Sequence, residues 1–139
     1  MIVLDTNVLS ELMRPEPSPT VIAWIEARAT TSLFTTTITQ AEILYGIRLL
    51  PSGKRRSEIE EAACEMFRMD FAGRVLPFDQ DAAQAYAKIA SSRRQAGRPI
   101  TQFDAQIAAI ALSRDGAVAT RNIADFEGCG PDLIDPWRT

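Results

Sequence analysis

The stretch Ile2-Val3-Leu4-Asp5-Thr6-Asn7-Val8-Leu9 joins a short apolar run to a polar segment and then to further apolar residues. A run of apolar residues without polar alternation is typical of a strand buried on both faces of a parallel sheet. A helix that begins near Asn7 would carry the chain back across one face of that sheet. The stretch therefore predicts a strand followed by a helix, the repeating unit of an α/β fold.

The same alternation of short apolar runs and longer helical patterns continues through the chain, which favours an α/β domain on a parallel sheet. The predicted strands cover residues 2–4, 32–37, 74–78, 117–120 and 133–135. The predicted helices cover residues 7–13, 19–29, 40–50, 57–69, 81–95 and 102–114. Two of these helices, 40–50 and 57–69, follow each other without a strand between them and are expected to form a helical hairpin beside the sheet.

Length and composition indicate one domain that spans residues 1–139. The chain has 46% hydrophobic and 24% charged residues, which is ordinary globular composition. No run approaches the roughly 20 apolar residues that a membrane span requires, and the first residues do not resemble a signal peptide. We therefore expect a cytoplasmic protein without a membrane anchor.

The chain contains no histidine, which excludes several classes of enzyme. Histidine is the usual general base at neutral pH and the commonest nitrogen ligand of transition metals. Serine-histidine and cysteine-histidine hydrolases are therefore excluded, as are ribonucleases that use two histidines. A hydrolase of this composition would depend on carboxylates and a hard cation such as Mg²⁺ or Mn²⁺.

Three carboxylates are placed where such a cation could bind. Asp5 follows the first strand directly, at the sheet edge where open parallel sheets bind ligands. Glu42 and Asp104 each follow a threonine by three residues at a predicted helix start, after Thr39 and Thr101. That spacing also matches a capping box, and Asp5 could be an N-cap, so a purely structural role remains open for all three.

A second polar segment follows the fourth predicted strand. Thr120 and Asn122 offer neutral oxygens, Arg121 offers a partner for phosphate, and Asp125 offers another carboxylate. Because Asn and Asp are also common in turns, the segment alone does not distinguish a site from a loop.

Arginines cluster at positions 93, 94 and 98, and guanidinium groups suit bidentate contact with phosphate. We therefore take Arg93, Arg94 and Arg98, together with Arg121, as candidate contacts for RNA phosphates. A solvent-exposed helix face explains the cluster about as well, and both interpretations stay open.

The ordered set of motifs resembles the PIN-domain toxins, in particular the FitB-like branch of the VapC family. The matching segments are residues 2–11 (IVLDTNVLSE), 36–43 (TTITQAEI) with Gly46, 76–79 (LPFD), 104–109 (DAQIAA) and 119–122 (ATRN). Each segment is short, but their common order and spacing cover nearly the whole chain.

This resemblance implies a three-layer α/β fold in which Asp5, Glu42 and Asp104 hold one or two Mg²⁺ or Mn²⁺ ions, with Asn7 and Thr120 nearby. It also implies hydrolysis of RNA, homodimerisation, and inhibition by a cognate antitoxin that binds DNA. Many PIN domains have Asp where this chain has Asn122. The fourth position of the site could therefore be filled by Asn122 itself or by Asp125.

The leading hypothesis is an Mg²⁺-dependent endoribonuclease that acts as the toxin of a type II toxin-antitoxin pair. Phosphatases of the haloacid dehalogenase type require a second acid two residues after the first, and this chain has Asn7 at that position. Receiver domains require two adjacent acids after the first strand, and this chain has no such pair at that position. The alternative that remains is a PIN-fold binding module that docks an antitoxin or nucleic acid without cutting.

Overall fold

A computed structural model describes residues 1–138, which form one parallel sheet of five short strands. The spatial order is β3-β2-β1-β4-β5, and every neighbouring pair is parallel. The strands are β1 (Ile2–Leu4), β2 (Leu33–Thr36), β3 (Val75–Leu76), β4 (Ala117–Ala119) and β5 (Leu133–Ile134). The first strand of the chain is therefore the central strand of the sheet.

Seven α-helices connect and cover the strands described in residues 1–138. They are α1 (Thr6–Leu12), α2 (Pro19–Glu26), α3 (Thr37–Arg48), α4 (Lys54–Glu65), α5 (Gln80–Gln95), α6 (Gln102–Ser113) and α7 (Ile123–Phe126). A 3₁₀ turn at Thr30–Ser32 precedes β2, and a π-helical turn at Met66–Asp70 extends α4. None of the helices in residues 1–138 is both long and apolar enough to cross a membrane.

The pleat of the strands separates the core into two clusters, one on each side of the sheet. Val3 and Val118 pack with the buried face of α6, whereas their neighbours Leu4 and Ala119 pack with α1, α2 and α3. Successive side chains of a strand point to opposite faces, so each apolar run supplies both clusters. The predicted three-layer α/β fold with about five parallel strands is confirmed.

The junction of β2 and α3 differs from the prediction. Thr36 ends the strand and caps the helix, because its Oγ1 accepts a hydrogen bond of 3.0 Å from the Thr39 amide. Helix α3 therefore begins at Thr37, three residues earlier than predicted, and Glu42 lies in its second turn. The capping-box interpretation of Thr39 and Glu42 is thus wrong, because an earlier threonine already satisfies the free amides of the first turn.

The predicted helical hairpin is present as α3 and α4. Helix α4 begins at Lys54 rather than at residue 57, and Gly53 precedes it with a positive φ of 148°. Ile43 and Ile47 of α3 and Ala63 of α4 belong to the same buried cluster. The hairpin therefore forms part of the layer that packs against one face of the sheet.

Candidate active site

Asp5 is held in place by the two loops that leave the central strands. Its Oδ1 accepts a hydrogen bond of 2.7 Å from the Thr6 amide, and its Oδ2 accepts one of 2.8 Å from the Thr120 hydroxyl. Asp5 is the N-cap of α1, as the structural interpretation expected, and only 4% of it is exposed. The cap therefore presents a buried carboxylate at the carboxyl edge of the sheet.

Burial raises the pKa of Asp5 from 3.8 to about 6. The hydrogen bonds from Thr120 and Thr6 oppose that rise, while the charges of Asp104 and Glu42 add to it. Desolvation disfavours the charged form of a carboxyl, and nearby carboxylates disfavour it further. Asp5 is therefore a group whose ionised state lacks a compensating positive charge.

Glu42 approaches Asp5 from α3 and is oriented by a pair of hydroxyls. Its Oε1 accepts a hydrogen bond of 2.8 Å from the Thr6 hydroxyl, whose oxygen lies 3.0 Å from that of Thr39. Burial raises the pKa of Glu42, the Thr6 hydroxyl opposes the rise, and Asp104 adds to it. Thr39, which was predicted to be a cap, therefore helps to orient the acid it was expected to pair with.

Asp104 enters from the first turn of α6. Its amide donates a hydrogen bond of 3.3 Å to Oγ1 of Thr101, the N-cap, as the sequence pattern predicted. Partial burial raises the pKa of Asp104, the Thr101 hydroxyl lowers it, and Asp125 raises it again. Asp104 is thus a capping-position residue that also interacts electrostatically with the other acids.

The three carboxylates line one cleft of about 450 Å³. Asn7, Asn122 and Arg121 line the same cleft, as the sequence analysis anticipated for this edge of the sheet. Thr120 is fully buried behind the cleft. Its Oγ1 accepts hydrogen bonds from Nδ2 of Asn7, at 3.3 Å, and from the Asn122 amide, at 3.0 Å.

Asp125 lies in α7 and is exposed. It does not line the cleft, although it lies close enough to raise the pKa of Asp104. Asn122 does line the cleft, and its side chain makes no capping hydrogen bond with α7. Between the two candidates for the fourth position, the geometry therefore favours Asn122.

The donor chemistry of the cleft fits a hydrated divalent cation. Within residues 1–138, no three acidic or cysteine side chains are arranged to hold a metal ion together as they stand. Mg²⁺, however, commonly uses one or two carboxylates and keeps several water ligands. The rise in the pKa of Asp5 and Glu42, to which the charge of Asp104 contributes, is the effect that a bound cation would reverse.

The arginine cluster does not lie in the cleft. Arg93 is only 8% exposed, and its guanidinium donates to the carbonyl oxygens of Arg98, Asp125 and Glu127 at 2.7–2.9 Å. Arg98 is exposed and lies 3.5 Å from the Glu127 carboxylate, and Arg94 is also exposed. Because its Nε and Nη1 groups donate to protein carbonyls, the buried Arg93 side chain ties α5 to α7 and to the loop after α7.

Five cleft residues were missed by the sequence analysis: Thr6, Ser10, Glu11, Arg14 and Trp137. Thr6 belongs to the motif that contains Asp5, so its proximity to Asp5 could have been inferred. Ser10 and Glu11 end the same segment. Arg14 and Trp137 show no distinctive spacing, and Trp137 reaches the cleft from the segment after β5. Only the fold brings these residues together.

Comparisons with known proteins show the family and the fold of the chain. The family model for the PIN domain matches residues 2–127. The chain is 43% identical to a VapC ribonuclease of Sinorhizobium fredii over 137 residues, which cover 99% of this chain and 98% of the relative. It is 38% identical to toxin FitB of Neisseria gonorrhoeae, with 99% of each chain covered.

Among solved structures, FitAB bound to the IR36 DNA fragment contains a chain that superposes with a TM-score of 0.93 at 37% identity. That match covers 100% of this chain and 97% of the other. The similarity thus extends over the entire sheet and over all the segments that supply the acidic cleft. The chain belongs to the PIN-domain family, in the branch that includes the VapC ribonucleases and the FitB toxin.

Proposed function

We propose that this protein is an Mg²⁺-dependent endoribonuclease that acts as the toxin of a type II toxin-antitoxin pair. The observation that carries the proposal is the cleft shared by Asp5, Glu42 and Asp104, where burial raises the pKa of all three and the charge of Asp104 adds to the rise at Asp5 and Glu42. None of the three forms an ion pair with a basic side chain in residues 1–138. A structural cluster of buried acids would normally be paired, so a divalent cation is the simplest counter-charge.

We assign Asp5 and Asp104 as primary ligands of the cation, and Glu42 as a ligand or as the group that orients the attacking water. Asn122 is the auxiliary neutral ligand, with Asp125 as the alternative. When bound, Mg²⁺ would lower the pKa of a bound water and stabilise the charge that develops on the phosphodiester. Mn²⁺ should substitute, because it accepts the same oxygen ligands.

Two threonine hydroxyls favour the charged forms of Asp5 and Glu42. Thr120 accepts hydrogen bonds from Asn7 and Asn122, so its single proton is directed to Asp5. The Thr6 hydroxyl directs its proton to Glu42 in the same way. Hydrogen bonds donated to a carboxylate favour its charged form, and the charged form is the one that a cation requires.

The relatives support the remaining parts of the proposal. One of them is named a VapC ribonuclease and another the FitB toxin, and FitAB has been solved with a DNA fragment. We therefore propose RNA as the substrate and a cognate DNA-binding antitoxin as the partner. Homodimerisation and cytoplasmic localisation stay predictions, and light scattering of the purified toxin would test the first.

The direct test is cleavage of single-stranded RNA by the purified, antitoxin-free protein. Cleavage should require Mg²⁺ or Mn²⁺ and stop in excess EDTA, because the chain has no histidine to act as general base. Undiminished cleavage in EDTA would contradict the metal mechanism. Asp104→Asn should abolish cleavage without unfolding the protein, which excludes a contaminating nuclease.

A second candidate is a binding module that docks an antitoxin or nucleic acid without cutting. Two observations favour it. Asn122 occupies a position where many PIN domains have an acid. Within residues 1–138, no three acidic side chains are arranged to hold a metal ion together. Titration calorimetry with Mn²⁺, performed beside the cleavage assay, distinguishes the two functions. Absence of both Mn²⁺ binding and cleavage would favour the binding module.

A further inference from the structure

Two arginines line the cleft together with the three acids. They are Arg14, from the segment after α1, and Arg121, from the segment after β4. Both are exposed, and both lie near the buried carboxylate of Glu11. The cleft therefore has an acidic part and a basic part, and the basic part is organised around one buried acid.

Glu11 fixes the position of Arg14. Nη1 of Arg14 lies 3.2 Å from Oε1 and 3.1 Å from Oε2 of Glu11, and the amide of Ser18 donates to Oε2 at 2.8 Å. The Ser18 amide, together with Arg14, keeps the pKa of Glu11 below its usual range. Glu11 is 5% exposed, whereas the side chain of Arg14 is 64% exposed. One nitrogen of the guanidinium is thus anchored while the rest of the group faces the cleft.

Arg121 is positioned by different contacts. Its guanidinium carbon lies 5.0 Å from the centre of the Trp137 ring, which is within cation-π range. Its amide donates a hydrogen bond of 3.3 Å to Oδ1 of Asn7. Its charge also reaches Glu11, because it helps to lower the pKa of that carboxyl. The side chains of Arg14 and Arg121 are therefore held on the same side of the acidic cluster.

From this arrangement we infer that Arg14 and Arg121 form a phosphate seat, which binds an RNA phosphate next to the one that is hydrolysed. The inference rests on the proposed ribonuclease function and adds its substrate-binding residues. An RNA backbone that enters the cleft meets three carboxylates, so a fixed positive charge beside them is needed to hold the strand in place. Guanidinium groups with free N–H donors suit a phosphate better than a lysine would. Glu11 and Trp137 are positioning residues in this scheme.

The test measures cleavage and binding of one defined single-stranded oligoribonucleotide. Arg14→Ala and Arg121→Ala should each raise KM roughly ten- to hundred-fold, as expected for the loss of a hydrogen bond to a charged group. The value of kcat should change much less, since the seat contacts a phosphate that does not react. The slope of log affinity against log salt should fall by about 0.7 for each variant. Arg14→Lys should restore part of the affinity.

The matched control is Arg68→Ala, because Arg68 is an exposed arginine that does not line the cleft. It should keep the wild-type KM and salt slope. Glu11→Gln keeps an acceptor for the Ser18 amide but loses the charge that holds Arg14. It should raise KM less than Arg14→Ala does, with kcat unchanged. Thermal unfolding monitored by circular dichroism checks that each variant is folded.

The two proposals fail in different ways. If wild type cleaves RNA and both arginine variants match Arg68→Ala in KM and salt slope, the phosphate seat is wrong and the ribonuclease function stands. If wild type does not cleave RNA, fluorescence anisotropy in EDTA at low salt still tests the seat. Equal RNA affinities for wild type, Arg14→Ala and Arg121→Ala would then overturn it, and a loss confined to the two variants would support it.

Discussion

Replacement of Asp5 with asparagine should stabilise the metal-free protein and at the same time abolish RNA cleavage. Asparagine caps helices about as well as aspartate does, so helix α1 should keep its N-cap. The substitution removes the charge, however, from a side chain that is 4% exposed and faces Glu42 and Asp104. A residue that served only as a cap would tolerate the change without effect on either property.

The size of the effect follows from the pKa of Asp5. At about 1.36 kcal/mol per pKa unit, the difference between 3.8 and about 6 corresponds to about 3 kcal/mol against the folded state at pH 7. The folded state binds the proton more tightly, so the penalty is absent below pH 3.8, develops as pH rises, and is complete above about 6. About half of it remains at pH 5. Asparagine has one side-chain oxygen and an amide nitrogen that does not accept, so it cannot accept from both the Thr6 amide and the Thr120 hydroxyl as Asp5 does. The lost hydrogen bond costs about 1 kcal/mol, which leaves a gain of about 2 kcal/mol at pH 7.

The assay is urea unfolding of wild type and Asp5→Asn at pH 5 and pH 7 in EDTA, repeated with Mn²⁺. The variant should be more stable at pH 7, and its advantage should shrink at pH 5. Mn²⁺ should stabilise wild type and have much less effect on the variant. Asp79→Asn is the matched control, because Asp79 caps α5 through the Ala82 amide and does not line the acidic cleft. A variant less stable than wild type at pH 7, or an advantage that does not depend on pH, would refute the reasoning.

Four further substitutions test other parts of the structure. Glu42→Gln and Asp104→Asn should each lower kcat by orders of magnitude and reduce stabilisation by Mn²⁺, since a hard cation depends on their charge; wild-type cleavage by both would remove them from the site. Arg93→Ala should lower the free energy of unfolding by about 3 kcal/mol, because it removes three hydrogen bonds to part-buried carbonyls together with a buried side chain. The exposed neighbour Arg94→Ala should have little effect in the same denaturant titration. Thr36→Ala should cost about 1 kcal/mol through loss of the α3 cap, and an unchanged unfolding midpoint would argue against that cap.

The fold could be predicted from local patterns because its strands are short apolar runs with polar ends. Strand β1 was predicted at its observed bounds, Ile2–Leu4. Helix α4 begins at Lys54, three residues before the predicted start, although residues 54–56 are basic and positive charge is unfavourable at a helix N-terminus. Tertiary packing of α4 against α3 outweighs that local preference.

The run Thr35-Thr36-Thr37-Ile38-Thr39 shows where local patterns are insufficient. β-branched residues favour strands, and the predicted strand extended to Thr37 with the next helix beginning at residue 40. In the structure, the hydroxyl of Thr36 caps the helix and ends the strand earlier. Four of these residues are threonines that could each cap a helix, and the sequence does not show which one does.

The acids of the candidate site could be predicted, but the long-range contacts that fix side chains around them could not. Asp5 and Asp104 follow from strand ends and helix starts, which are local features. Thr120 reaches Asp5 across 115 positions of the chain. Arg93 finds its acceptors 32 and 34 positions away, at Asp125 and Glu127. Contacts of this range depend on the register of the sheet, and composition and spacing do not encode them.

The order of the strands also determines when the cleft can exist during synthesis. Strand β1 is made first, yet it is central and pairs with β4, whose residues Ala117–Ala119 emerge from the ribosome much later. Asp5 gains the Thr120 hydroxyl only when that late strand has docked beside it. Pairing over so long a separation is slow and follows the local steps of folding. A nascent chain therefore lacks a complete acidic cleft until its last third has been translated.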